Sequence, residues 1–170
     1  MDLISTKTKK ELKDVLMEPR SATQGKAYYV IHGENQNITV LLPDLNGHEY
    51  NKTYGHFHKY SAVEIYNCLY GQGLVVMQRN DEQGQPKEYK VVGLHPGKQV
   101  EIPVGFGHAL INVGKTFLVV LDNAFEPSKN HNYEPVRVSH GFAYYVVEKK
   151  GEIAFERNPN YKSCPQITSE

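Results

Sequence analysis

Three histidines and one glutamate, drawn from two distant stretches of the chain, could hold a metal ion. His56 and His58 form a His-x-His pair in Thr53-Tyr54-Gly55-His56-Phe57-His58, and Glu64 follows after Lys59-Tyr60-Ser61 and two more residues. His108 ends a second stretch that begins at Gly97. Alternate residues of an extended strand point to one side, so His56 and His58 face one way and Phe57 the other. Gly55, just before the pair, lets backbone approach closely. In the second stretch Pro96-Gly97 makes one turn and Pro103-Val104-Gly105 another. Val100 and Ile102 alternate between them as a buried strand would. Asn112 is placed to tie down a turn. Three neutral nitrogens and one carboxylate suit Fe, Mn, Ni, Co or Zn, and they leave positions free for a substrate. Such an ion polarises oxygens on small molecules.

The elements that must position these residues read as strands. Ala27–Ile31, Asn37–Leu42, Ala62–Leu69, Gly73–Gln78, Lys87–Gly93, Gln99–Ile102, Ala109–Val113, Thr116–Leu121 and Ala143–Glu148 are short, apolar and β-branched or aromatic. Gly- or Pro-bearing breaks separate several of them, as at Gly71-Gln72-Gly73 and His95-Pro96-Gly97. Many short strands at regular spacing imply an all-β sandwich or barrel. The start differs. Lys9-Lys10-Glu11 and the spacing of Leu12, Val15 and Leu16 predict a helix capped by Ser5 or Thr6 and ended by Pro19. It is expected to pack outside the main body.

At 170 residues the chain reads as one domain: an arm over 1–20, a barrel over 27–150 and a loosely held tail over 158–170. That length buries a core without stapling, so a metal here is functional rather than structural. Lys+Arg and Asp+Glu are equal at 19 each, which argues against nucleic acid or an anionic membrane surface as a partner. Cys68 reads as a small hydrophobic residue and Cys164 as a surface thiol. The start, Met1-Asp2-Leu3-Ile4, lacks the long apolar core of a secretory signal. No apolar run approaches the roughly 20 residues that span a bilayer. A cytoplasmic protein is the expectation.

Gly97, Pro103, Gly105, His108 and Asn112 match one sequence motif of the cupin superfamily, and His56, His58, Glu64 and Gly71 match its partner motif. The chain therefore resembles a cupin, which implies a jelly-roll β-barrel. Finer features narrow the family. Thr53–His58, Val63-Glu64-Ile65-Tyr66, Leu69–Gly73, and His131-Asn132-Tyr133 followed by Gly141-Phe142 resemble the cupin-type glucose-6-phosphate isomerases, from about Thr39 to Asn158.

That resemblance implies interconversion of glucose 6-phosphate and fructose 6-phosphate, with one divalent metal ion holding O1 and O2. It assigns His56, His58, Glu64 and His108 to the metal, and gives Glu64 a second role in moving the proton between C1 and C2. A hydride shift between the same carbons stays open. Thr39, Thr53, the Gly55 N–H and Tyr133 would hold the phosphate. His131 would open the ring or bind a hydroxyl. Tyr66, two residues after Glu64, shares its face of the strand and points a hydroxyl into the same pocket. Plainer readings stand beside these: Tyr66 as a core aromatic, Thr39 as an ordinary strand residue, His131 as a histidine capping a turn. His32, His48, His95 and His140 match no motif and read as structural or exposed. Two departures from the family pattern are Asn130, where relatives often carry Gly, and Asp122-Asn123-Ala124-Phe125, where they tend to carry a Tyr. A drift in sugar specificity would follow. The resemblance also implies a homodimer. Two other functions stay open, a cupin dioxygenase and a non-catalytic sugar-binding module. Oxygen uptake would reveal the first, and ligand affinity indifferent to Glu64 the second.

Overall fold

The computed structural model describes residues 4–123 and 130–170. Residues Met1 to Leu3 of the start, and the departure at Ala124 and Phe125, lie outside the described residues. The chain begins with strand β1 (Ile4–Thr8) and two 3₁₀ segments (Lys10–Val15 and Pro19–Ser21). Strands β2 (Lys26–His32), β3 (Asn37–Leu41), β4 (Leu45–Asn46), β5 (Glu49–Tyr50) and β6 (Phe57–His58) follow. The long central strands are β7 (Glu64–Tyr70), β8 (Gly73–Asn80), β9 (Pro86–Leu94), β10 (Gln99–Ile102), β11 (Gly107–Asn112) and β12 (Leu118–Asp122). The chain then forms β13 (His131–Asn132), a short helix α1 (Glu134–Val138), β14 (Tyr144–Lys149), β15 (Glu152–Arg157) and β16 (Ile167–Ser169).

Each strand expected from the sequence forms, within a few residues of its expected ends. Among the described residues the strands make two facing sheets, one ordered β1-β2-β3-β12-β7-β10 and the other β11-β8-β9-β16. This is the all-β jelly-roll barrel that the motifs imply. Between the sheets lies one core, with Leu41, Cys68, Leu118 and Val120 from the first sheet against Val75, Met77, Val92 and Leu110 from the second.

The second sheet is buried on both faces. Val76, Val91, Ala109 and Ile111 alternate with the residues just named and point into a second core, closed by Val146, Phe142 and Tyr161. That is why β11 is buried along its whole length, and why β8 and β11 read as continuous apolar runs rather than alternating ones. A third sheet, β15-β14-β5-β4, supplies part of the cover.

The N-terminal expectation needs correcting in two respects. Ser5 and Thr6 cap no helix; they pair with Val30 and Tyr29 as part of β1, on the edge of the first sheet. The open edge of β2 satisfies their backbone groups, and that pairing outweighs the local preference of a Lys/Glu-rich segment. Nor is the segment external. The face formed by Leu12, Val15 and Leu16 is at most 1 % exposed and belongs to the second core. The helix stops at Leu16, which is extended, and Pro19 opens the next 3₁₀ turn. A buried ion pair holds the segment down. Lys52 Nζ pairs with Glu49 and donates to Val15 O, while Met17 N–H donates to Glu49 Oε2.

The tail also differs from expectation. Asn158 and Tyr161 are buried. Tyr161 Oη donates to Gly141 O at 2.9 Å, Asn158 Nδ2 donates to Phe142 O at 3.0 Å, and β16 pairs in parallel with β9. Unmet carbonyls in the 139–142 turn recruit these polar side chains. Cys68 is buried as expected, whereas Cys164 is half-buried and donates to Ala143 O rather than lying at the surface.

A core role for the N-terminal segment has a direct consequence. Leu12→Ala should lower the free energy of unfolding by about 2–5 kcal/mol, and the exposed neighbour substitution Lys13→Ala by less than about 0.5 kcal/mol. Urea denaturation of both variants checks this. Equal, small effects would return the segment to an external arm.

Candidate metal centre and substrate cavity

Backbone pairing brings the histidines together. The 53–58 stretch runs beside β11: Thr53 N–H donates to Leu110 O, His56 N–H to His108 O and His108 N–H to His56 O. His56 and His108 are therefore cross-strand neighbours. On the other side of the stretch β13 pairs with β6, setting His131 opposite His58. Phe57 takes the opposite face, as the alternation requires, and its ring packs against Phe142. Gly107 makes room for it, since a Cβ there would come within 2.5 Å of the Phe57 ring. Gly55 has φ +84°, and a Cβ on it would meet Phe142 at 2.7 Å, so both conformation and space call for glycine. Glu64 arrives from the facing sheet, at the end of β7, paired to Ile102 of β10. Asn112 ties down its turn as expected, with Nδ2 donating to Leu41 O and Thr116 O and Oδ1 accepting from Gly114 N–H.

The four side chains converge. His58 Nε2 lies 2.8 Å and His108 Nε2 3.0 Å from Glu64 Oε2. One ligand atom from each of His56, His58, Glu64 and His108 lies within 4.8 Å of the others. An ion with bonds of about 2.1 Å holds its ligand atoms roughly 3–4 Å apart, so a small contraction of the group would bring it to coordination distance. The donor set fits an ion on chemical grounds too. His56 Nε2, His58 Nδ1 and His108 Nδ1 are buried without a hydrogen-bond partner. Nitrogens so placed cost about 1–3 kcal/mol each unless something satisfies them, and a bound cation would. The chain thus carries a candidate metal-binding group of three histidines and a glutamate.

Electrostatics favour the same reading. Burial works to raise the Glu64 carboxyl, but the His108 charge and hydrogen bonds from His108 and His58 outweigh it and hold the group at about 2. It is ionised at neutral pH, the form a ligand or a base requires. Burial, followed by the charges of His108, His131 and His58, pushes His56 well below the usual imidazole value, so it stays neutral and able to coordinate. His131 is lowered to about 4, by burial first and then by His58. Its ring stacks on His56 at 3.7 Å between centroids, and its Nδ1 lies 2.9 Å from Tyr133 Oη.

The cluster opens into a cavity of about 400 Å³. His56, Glu64, Thr39, Thr53, Gly55, Tyr66, His131 and Tyr133 all line it, so the structure brings together every residue that the resemblance assigns to substrate. His58 and His108 stand behind them. Tyr66 is both things the sequence left open, a core aromatic at 6 % exposure and a cavity-lining hydroxyl. Burial, with the Glu64 and Asp122 charges, raises that hydroxyl well above the usual phenol range and keeps it a donor. Thr53 Oγ1 accepts from Leu110 N–H at 3.0 Å, which leaves its own proton to donate.

Sequence reasoning missed several lining residues. Tyr28, whose hydroxyl accepts from Tyr54 N–H, is one. His32, expected to be structural or exposed, is another, with Ser5, Asn37 and Asp122 beside it. The signal for Asn37 was present: it lies two residues before Thr39 on one strand and shares its face. His95 and His140 behave as expected, bonding to the Pro96 and Asp14 carbonyls.

The acid behaviour of the metal-free protein follows. His56 and His131 take up a proton less readily when folded than the ordinary value of 6.5. As pH falls below about 6.5, the unfolded chain binds protons that the folded chain refuses, and stability declines. Glu64, depressed to about 2, adds a further loss below 4.5. Denaturation of chelated protein from pH 7.5 to 5 should show this fall, and His56→Gln should flatten it. A flat profile in the unsubstituted protein would contradict the buried neutral histidines.

Comparison with known proteins agrees with the site. A family model described as glucose-6-phosphate isomerase matches residues 4–163. The glucose-6-phosphate isomerase of Pyrococcus furiosus is 30 % identical over 129 residues, covering 75 % of this chain and 65 % of that protein. The enzyme of Pyrococcus horikoshii is 30 % identical over 130 residues, covering 76 % and 65 %. That of Thermococcus litoralis is 30 % identical over 129 residues, covering 75 % and 64 %. The chain thus spans just under two-thirds of the length of these curated relatives. With the motif residues gathered on one cavity and the family model covering most of its length, the chain belongs to the cupin-type glucose-6-phosphate isomerase family.

Proposed function

We propose that this protein is a metal-dependent aldose–ketose isomerase that interconverts glucose 6-phosphate and fructose 6-phosphate. One observation carries the reading: a three-histidine, one-glutamate cluster opens directly onto a cavity lined with hydroxyl donors and large enough for a hexose phosphate. His56, His58, Glu64 and His108 would hold one divalent ion, which when bound would supply stabilisation of negative charge on the substrate's oxygens at C1 and C2.

The chain's own residues do the rest. The ionised Glu64 carboxylate moves the proton between C1 and C2. Tyr66, kept protonated, donates a hydrogen bond to the sugar. His131 and Tyr133, already hydrogen-bonded to each other, face the ring-opening and phosphate ends. Thr39, Thr53, Gly55 and Tyr133 hold the phosphate through hydroxyls and a backbone amide, which bind it well when aimed in advance. No basic patch is required. The hydroxyls on the lining favour a polar sugar over the apolar or aromatic substrate that the oxygenase reading usually needs. Among the described residues, no helix is long and apolar enough to cross a membrane. The reading includes a single-domain protein acting in the cytoplasm as a homodimer, on the analogy of the family.

The test is a coupled assay for glucose 6-phosphate formed from fructose 6-phosphate. Turnover should disappear on chelation and return with a divalent metal. Turnover unaffected by chelation would sink the metal mechanism, and none with any metal would sink the isomerase. In the same assay, Tyr133→Phe should raise KM for fructose 6-phosphate roughly 10- to 100-fold with little change in kcat, the loss of about one hydrogen bond to a charged group. An unchanged KM removes Tyr133 from the phosphate site.

A further inference from the structure

The cavity has a second polar wall, on the first sheet, which the metal and phosphate assignments leave unused. Strand register sets His32 opposite Asn37, Asn37 opposite Asp122, and Asp122 opposite Tyr66. These residues form one row across β2, β3, β12 and β7. Ser5 reaches the same wall from β1, and all five line the cavity.

The row is wired together. Asn37 Nδ2 donates to Asp122 Oδ1 at 3.0 Å. His32 Nδ1 lies 3.0 Å from Asn37 Oδ1, and Ser5 Oγ lies 3.0 Å from His32 Nε2. Donor and acceptor chemistry fixes the direction. The Asn37 amide turns its NH₂ to Asp122 Oδ1 and its carbonyl oxygen to His32. That oxygen requires a proton on His32 Nδ1, and Nε2 meets the Ser5 hydroxyl, which can donate or accept. The row carries a carboxyl side chain that is only 9 % exposed and lines the cavity. Burying a carboxyl group is unfavourable without polar partners, and this wall provides them in a fixed geometry.

The position of the row matters as much as its wiring. Along the first sheet, Thr39 pairs with Val120, and Asp122 with Tyr66 follows two residues on. Glu64 lies two residues beyond Tyr66 on β7, on the far side of that row from Thr39. A hexose phosphate stretched between the metal group at Glu64 and the phosphate donors at Thr39 must pass the Asp122–Tyr66 row with its middle carbons. Resting on the isomerase reading, we propose that Asp122 accepts a hydrogen bond from the C3 or C4 hydroxyl and determines which sugar phosphate is taken. Asn37 and His32 are positioning residues that hold its carboxyl group in place.

The test pairs a protein substitution with removal of a substrate hydroxyl, since the two deletions are non-additive only if the groups touch. Initial rates are measured on metal-loaded protein with fructose 6-phosphate and its 3-deoxy and 4-deoxy analogues. The unsubstituted protein should lose about 10- to 100-fold in kcat/KM on one analogue. Asp122→Ala should lose a similar factor on fructose 6-phosphate itself, mainly in KM, and little further on that analogue. Asp122→Asn, which still accepts from Asn37, should recover part of the loss. Asn37→Ala should weaken the same discrimination without changing metal content. A merely structural role for Asp122 would lower activity on all three sugars alike and leave the discrimination intact, overturning the proposal. Binding of fructose 6-phosphate to each variant, followed calorimetrically, gives the same comparison should a variant turn over too slowly. Absence of turnover in the unsubstituted protein would instead overturn the isomerase reading and this assignment with it.

Discussion

Two backbone hydrogen bonds, His56 N–H to His108 O and His108 N–H to His56 O, hold the two halves of the candidate metal group in register. Everything else at the site depends on that short bridge. It sets one imidazole of the His-x-His pair against the imidazole of the second motif. Strand alternation then delivers His58 to the same side and sends Phe57 to the other. A slip of one residue in the 53–58 stretch would put Phe57 in the metal group and His56 in the core. The glycines beside the bridge prevent it. Gly107 leaves the space that Phe57 fills, and Gly55 takes a conformation and a closeness that a side chain would forbid.

The fold supports this bridge with burial on both sides. β8, β9 and β11 are covered by the barrel core on one face and by the N-terminal segment, the third sheet and the C-terminal stretch on the other. A strand packed on two faces cannot drift, and the ligand it carries inherits that rigidity. The cost sits in the site. Three imidazoles and a carboxylate are gathered in a poorly hydrated place, with several nitrogens lacking protein partners. The same environment keeps His56 neutral and Glu64 ionised, the two states in which they coordinate. What weakens the empty protein prepares it for a cation.

Much of this was legible in the sequence, and the reasons are local. His-x-His places two ligands on one face by strand geometry alone. Gly97 and Gly105 mark turns, and both adopt positive φ. Glu64 and Tyr66 share a face because they are two residues apart. What was not legible depends on pairing between distant strands. Asn37 and Asp122 are 85 residues apart, and only the register of β3 with β12 makes them neighbours. His32 carries no motif because its meaning comes from Asn37 across the sheet. The N-terminal segment misled for a related reason. Its helical spacing was real and its apolar face is buried, but an open sheet edge claimed Ile4–Thr8 first. The tail looked loose because a parallel pairing with β9 leaves no local trace.

In the proposed reaction, one ion at the three-histidine, one-glutamate group makes the cavity reactive. The most direct test is to titrate chelated protein with Mn, Ni or Zn, following bound metal and fructose 6-phosphate turnover on the same samples. Turnover should rise in proportion to bound metal and level off at one ion per chain, with both signals lost together in His108→Ala. Turnover already at its full level before metal is added, or one ion bound per chain with turnover unchanged in His108→Ala, would contradict the account.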